Sequence, residues 1–82
     1  MTDWRILDGV LTAWYDAPSL TAAATLARRI AHLPARVDLR ATGIRVRLDT
    51  HEHTTTVSTA ARSSGLTANP AVLQHLLSLI HI

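Results

Sequence analysis

Residues 36–50 alternate apolar and charged side chains in two consecutive runs, and this alternation constrains the fold more than any other feature of the chain. A repeat of two is the period of a β-strand with one buried face, so the stretch predicts two half-buried strands. A two-residue turn at Thr42-Gly43 would join them. The register then pairs Val37 with Leu48, Leu39 with Val46 and Ala41 with Ile44 on a buried side, and Arg36 with Asp49 and Asp38 with Arg47 on an exposed side.

The preceding part of the chain predicts another hairpin and a helix. Asp8-Gly9 favours a tight turn between two β-prone runs, residues 4–7 and 10–15. Ser19 is suited to cap a helix that runs to about His32, because its hydroxyl can accept a hydrogen bond from the first turn.

The part after residue 50 predicts two further helices. Val57, Ala60 and Ala61 have helical spacing, and Gly65 would close that short helix. Asn69-Pro70 is a favourable start for a last helix. The order of elements predicts an α+β fold: an antiparallel four-stranded sheet with helices packed on one face and arginine side chains on the other, open face.

Composition limits the classes of function. Eighty-two residues with 48% hydrophobic content suit one domain, residues 1–82, and the chain has no cysteine for disulfide or thiolate chemistry. No apolar run approaches the ~20 residues of a membrane span, and the first residues lack a secretory signal, so we expect a cytoplasmic protein. All eight basic residues are arginines, several interleaved with aspartates, and the net charge is only +2, which disfavours a nucleic-acid partner.

The small apolar side chains suggest a marginal core. The chain has no phenylalanine, and self-association would add to the stability of so short a chain. The stripe Leu73, Leu76, Leu77 and Ile80 on the last helix is the candidate contact between copies.

Residues 37–51 resemble the second hairpin of the pterin-4a-carbinolamine dehydratases. The matching residues are Val37-Asp38-Leu39-Arg40 and the run from Gly43 to Thr50-His51. In that family a His-His-Pro motif leads into the first of these strands and a Thr-His pair ends the second. The order of elements extends the resemblance over roughly residues 4–51. Residues 65–82 resemble the segment that joins the dehydratase domain to a second domain in two-domain actinobacterial relatives.

The resemblance implies the loss of water from a 4a-hydroxytetrahydropterin, without a metal or another cofactor. This elimination needs one group to protonate the departing hydroxide and another to accept the ring N–H proton, and imidazoles suit both roles. His51 matches the Thr-His histidine, and His32-Leu33-Pro34 matches His-His-Pro if one extra residue is allowed before Val37. His51 and His32 are then candidate catalytic residues, and Leu33 and Pro34 are candidate substrate-binding residues.

Leu33 stands where the family has a second histidine, so the resemblance implies an eroded site with weak or absent dehydratase (hydro-lyase) activity. Two alternatives stay open. The chain is a non-catalytic module for protein binding or dimerisation, or it is an enzyme recruited to another dehydration or cyclisation. The implied partners are a pterin or another small molecule, further copies of the chain in a homodimer or homotetramer, and a protein partner.

The run His51-Glu52-His53 has a formal metal-ligand pattern. Both imidazoles would lie on one side of an extended strand, but no third ligand is evident from the sequence. The sequence therefore predicts no metal site.

Overall fold

The first hairpin pairs strand β1 (Trp4–Leu7) with strand β2 (Val10–Asp16) in the computed structural model, which describes residues 3–74. The two turn residues have positive φ angles, 51° at Asp8 and 76° at Gly9. This is the conformation of a type I′ turn, whose twist matches that of the flanking strands. The Asp-Gly pair therefore predicts the turn correctly.

Helix α1 (Leu20–Arg29) crosses one face of the sheet. The Ala22 N–H donates to the Ser19 hydroxyl at 3.1 Å, which confirms Ser19 as the N-cap. Ala23 and Leu26 are the buried residues of this helix. The helix ends at Arg29, short of the predicted end at about His32.

The second hairpin consists of β3 (Ala35–Arg40) and β4 (Gly43–Leu48). The strands are hydrogen-bonded in the order β1-β2-β4-β3, and the two-residue strand β5 (Thr67–Ala68) also pairs with β2. The predicted α+β fold with an antiparallel four-stranded sheet is therefore present, with β5 as an addition. β3 lies at one edge and pairs with β4 alone among the described strands.

The predicted register of the second hairpin is wrong by two residues. Leu39 lies opposite Ile44, and the turn residues are Ala41 and Thr42. Gly43 belongs to β4, where a Cβ atom would lie 2.8 Å from the indole ring of Trp14 and would also overlap a β2 carbonyl oxygen. The glycine permits close approach of two strands, which explains why it is not a turn residue.

The faces of β4 follow the prediction, but those of β3 do not. Ile44, Val46 and Leu48 are buried in the core. Val37 and Leu39 of β3 remain 38% and 44% exposed. Ala41, also predicted to be buried, is an exposed turn residue. Val37 and Leu39 are exposed because β3 is the edge strand, and Ala41 is exposed because the shifted register places it in the turn.

The main core lies between the sheet and two helices, α1 and α2 (Thr54–Ser63). Tyr15, Leu26, Val46 and Val57 are among its buried residues. Gly65 follows α2 with a φ angle of 83°, as expected for a glycine that closes a helix. The predicted short helix is therefore present.

Buried side chains also occur on the second face of the sheet. Thr12 and Trp14 alternate with the core residues of β2, yet they are only 2% and 4% exposed. Leu73, from a helical turn at residues 70–74, is likewise buried but does not belong to the main core. The sequence predicts an open second face, and this prediction is wrong at Thr12 and Trp14. Leu76, Leu77 and Ile80 lie outside the described residues, so the predicted contact between copies stays a prediction.

Candidate functional site

The segments that carry the predicted site residues leave the sheet at the same end. Ala35, the first residue of β3, is paired with Leu48, the last residue of β4. Residues 32–34, which lead into β3, and residues 49–51, which follow β4, therefore share that end. The pairing places both halves of the predicted site at the same end of the sheet.

His32-Leu33-Pro34 lies in the turn between α1 and β3. His32 and Pro34 are exposed, whereas Leu33 is half-buried and packs against the core. The Leu33 N–H donates to the Ile30 carbonyl at 2.9 Å, and the Leu33 carbonyl accepts from the Ala35 N–H at 2.8 Å. Leu33 is thus anchored by both its side chain and its backbone.

His51 lies at the start of a 3-10 turn (His51–His53) that precedes α2. Its carbonyl accepts hydrogen bonds from the Thr54 N–H and from the Thr54 hydroxyl, the latter at 3.0 Å. These two bonds curl the chain, so His51-Glu52-His53 does not form the extended strand on which both imidazoles would lie on one side. The backbone of His51 is fixed, while its side chain is exposed.

Two exposed imidazoles lie at this end of the sheet. His32 and His51 provide these imidazoles. Neither histidine lines the surface depression over α2 or the one beside β1. Within residues 3–74, no group of three His, Cys, Asp or Glu side chains is placed to hold a metal ion. The catalytic roles of His32 and His51 and the binding roles of Leu33 and Pro34 stay predictions.

A buried polar network, which the sequence pattern does not predict, links the start of the chain to β2 and α2. The Tyr15 hydroxyl lies 3.2 Å from both Asp3 Oδ2 and Ser58 Oγ, and the Trp4 indole N–H donates to Ser58 Oγ at 3.2 Å. Arg62 donates to both carboxylate oxygens of Asp3, at 3.2 and 3.3 Å. The partners are as far apart as 59 positions in the sequence, and no local periodicity connects them.

The hydrogens in this network have a defined direction. The single hydroxyl proton of Tyr15 is donated to Asp3, so Ser58, which accepts from Trp4, donates its own proton to Tyr15. Burial is the main cause that raises the pKa of Tyr15 to about 12. The hydroxyl protons of Tyr15 and Ser58 and the indole proton of Trp4 are all donated within the network. This arrangement favours a structural role, in which the network fastens residues 3 and 4 to α2.

A depression of about 180 Å³ lies over this network. Hydroxyl groups of α2, the Asp3 carboxylate and the Arg62 guanidinium provide its polar groups. Its lining residues are Asp3, Trp4, Thr54, Thr55, Ser58, Thr59 and Arg62. A second depression, of about 140 Å³, lies between β1 and the helical turn at residues 70–74.

The charged side of the second hairpin is organised around Asp38. Its carboxylate accepts hydrogen bonds from Arg45 and lies 3.6 Å from the Arg47 guanidinium. The hydrogen bond from Arg45 is the main cause that lowers the pKa of Asp38. Arg36 pairs with Asp49 at 3.1 Å, one of the ion pairs expected from the sequence. The Arg40 guanidinium makes no hydrogen bond or ion pair within residues 3–74.

Comparisons with protein-family models, with curated proteins and with solved structures gave no match for this chain. Among the helices of the described residues, none has the length and apolar character to cross a membrane.

Proposed function

We propose that this chain is a pterin-4a-carbinolamine dehydratase-like domain in which dehydration of a 4a-hydroxytetrahydropterin is weak or absent. The observation that supports the proposal most directly is the position of Leu33. It lies between His32 and Pro34, at the end of the sheet that His51 also occupies, and it packs against the core. A hydrocarbon side chain neither donates nor accepts the proton that the elimination requires.

The missing proton carrier sets the expected size of the loss in turnover. Each positioned acid or base supplies roughly 10²- to 10⁴-fold in rate. Replacing one of them by Leu33 should therefore lower turnover by at least about 10²-fold, equivalent to about 2.7 kcal/mol of transition-state stabilisation. In this proposal His51 and His32 share the residual acid and base roles, and the pterin contacts Leu33 and Pro34.

The test is to measure carbinolamine dehydration by the wild-type chain, by His51→Ala and by His53→Ala. His53 is a matched control because it belongs to the same 3-10 turn as His51. We expect wild-type turnover at least about 10²-fold below that of an intact family member, abolished by His51→Ala and unchanged by His53→Ala. Wild-type turnover equal to that of an intact enzyme would refute the eroded site. Activity that survives His51→Ala would refute its location.

A further inference from the structure

The outer edge of β3 offers backbone groups that no described strand uses. The Ala17 N–H donates to the Thr42 carbonyl at 3.1 Å, so the backbone groups of Thr42 point toward β2. Successive strand residues alternate in direction, so those of Gly43 point toward β3 and those of its partner Arg40 point toward β4. By the same alternation, the N–H and C=O groups of Val37 and Leu39 point away from the sheet.

The same two residues carry the exposed apolar side chains of this strand. Val37 is 38% exposed and Leu39 is 44% exposed, on the face of the sheet that α1 covers farther in. An added strand would therefore gain both ladder hydrogen bonds and apolar contacts at the same positions. The opposite edge is shorter, because β1 has four residues, compared with six in β3, and it carries one exposed large apolar side chain, Ile6, compared with two on β3.

The charges along β3 indicate the chemistry of the partner. Asp38 is already paired with Arg45 and Arg47, whereas Arg40, within the described residues, acts on Asp38 only through its charge and makes no hydrogen bond or ion pair. The face of the hairpin carries Arg36, Arg40, Arg45 and Arg47 against Asp38 and Asp49, a net charge of +2 from four arginines and two aspartates. Pairing with a second copy would join two such positive faces, whereas an acidic strand would neutralise one.

We propose that β3 is a docking edge for an extended acidic peptide segment of a protein partner, which adds a strand to the sheet. The segment has an acidic-apolar-polar-apolar-acidic pattern. Its apolar residues lie opposite Val37 and Leu39, and its acidic residues lie opposite Arg36 and Arg40. This inference goes beyond the dehydratase proposal and does not depend on it.

The direct probe is a fluorescein-labelled peptide with the core Glu-Val-Thr-Val-Glu, compared with Lys-Val-Thr-Val-Lys by fluorescence anisotropy against the full chain. We expect the wild type to bind the acidic peptide at least about tenfold more tightly than the basic one. Arg40→Glu should weaken binding of the acidic peptide and strengthen binding of the basic peptide. Equal binding of both peptides by the wild type would overturn the proposal.

Leu39→Pro tests the backbone pairing. The Leu39 N–H points outward, so proline removes a donor to the partner without removing a hydrogen bond to β4. We expect about a tenfold or greater loss of affinity for the acidic peptide, whereas Leu20→Ser, at an exposed apolar residue of α1, should have no effect. If Leu39→Pro fails to fold, the charge reversal at Arg40 still decides the question.

Two outcomes would contradict docking at β3. One is unchanged affinity in a folded Leu39→Pro variant. The other is a wild-type dimer in sedimentation that Leu39→Pro dissociates, because the edge would then bind a second copy of the chain. A dimer that Leu39→Pro leaves intact, together with acidic-peptide binding that the substitution abolishes, would support the proposal.

Discussion

Tyr15 is the only tyrosine of the chain, and its hydroxyl group lies in the buried network with Asp3 and Ser58. The chain contains no cysteine, and every one of its eight basic residues is an arginine, so no lysine titrates beside it. Arginine stays charged to above about pH 12. The alkaline pH dependence of stability therefore reports on Tyr15 with little interference from other side chains.

Alkaline unfolding should depend on Tyr15. Its folded pKa of about 12 exceeds the unfolded value of about 10, so its contribution to stability is complete below about pH 10 and is lost as the pH rises through about 12. The free energy of unfolding of the wild type, measured with urea, should fall by up to about 2–3 kcal/mol across this window. Tyr15→Phe should be less stable than the wild type by about 1 kcal/mol at pH 8, and its stability should fall little further as the pH rises. A parallel alkaline decline in both proteins would contradict the assignment.

At the scale of elements, β3 and β4 have the same alternating sequence pattern but different burial. Val46 is fully buried because β4 lies between β2 and β3, whereas Leu39 is 44% exposed on the edge strand. Periodicity identifies a strand and its apolar side. It does not encode the position of that strand in the sheet, which depends on pairing between distant segments.

Two matched substitutions test this difference. Val46→Asp should unfold the chain or cost about 3–5 kcal/mol, because it buries a charge without a partner. Leu39→Asp, which the sequence pattern alone would rank as equally damaging, should cost under about 1 kcal/mol. Thermal unfolding followed by circular dichroism measures both. Similar losses in the two variants would show that β3 is covered in solution.

The register of the second hairpin shows a limit of turn chemistry. Thr42-Gly43 has the composition of a two-residue turn, but Gly43 is needed within β4, where Trp14 lies against its backbone. Asp8-Gly9 has no such neighbour and forms the predicted turn. A glycine required for packing and one required for a positive φ angle look alike in the sequence.

At the scale of the whole molecule, local patterns predict the order of elements and the four-stranded sheet. Ser19, Asp8-Gly9 and Gly65 mark boundaries through short-range chemistry, which a sequence displays directly. The bonds that link Asp3 with Tyr15 and Arg62 span 12 and 59 positions, and nothing in the local pattern predicts them. The predicted site lies between these cases: the hairpin brings its two halves to one end of the sheet, while the roles of its residues stay predictions.

The most direct test of the eroded site is to restore the missing proton carrier. Leu33→His should raise the kcat/KM of carbinolamine dehydration at least about tenfold over the matched Leu33→Asn variant, which is polar but transfers no proton at neutral pH. Circular dichroism would establish that both variants are folded, since Leu33 packs against the core. The gain should disappear when His51→Ala is added. A folded Leu33→His variant no faster than Leu33→Asn would contradict the account.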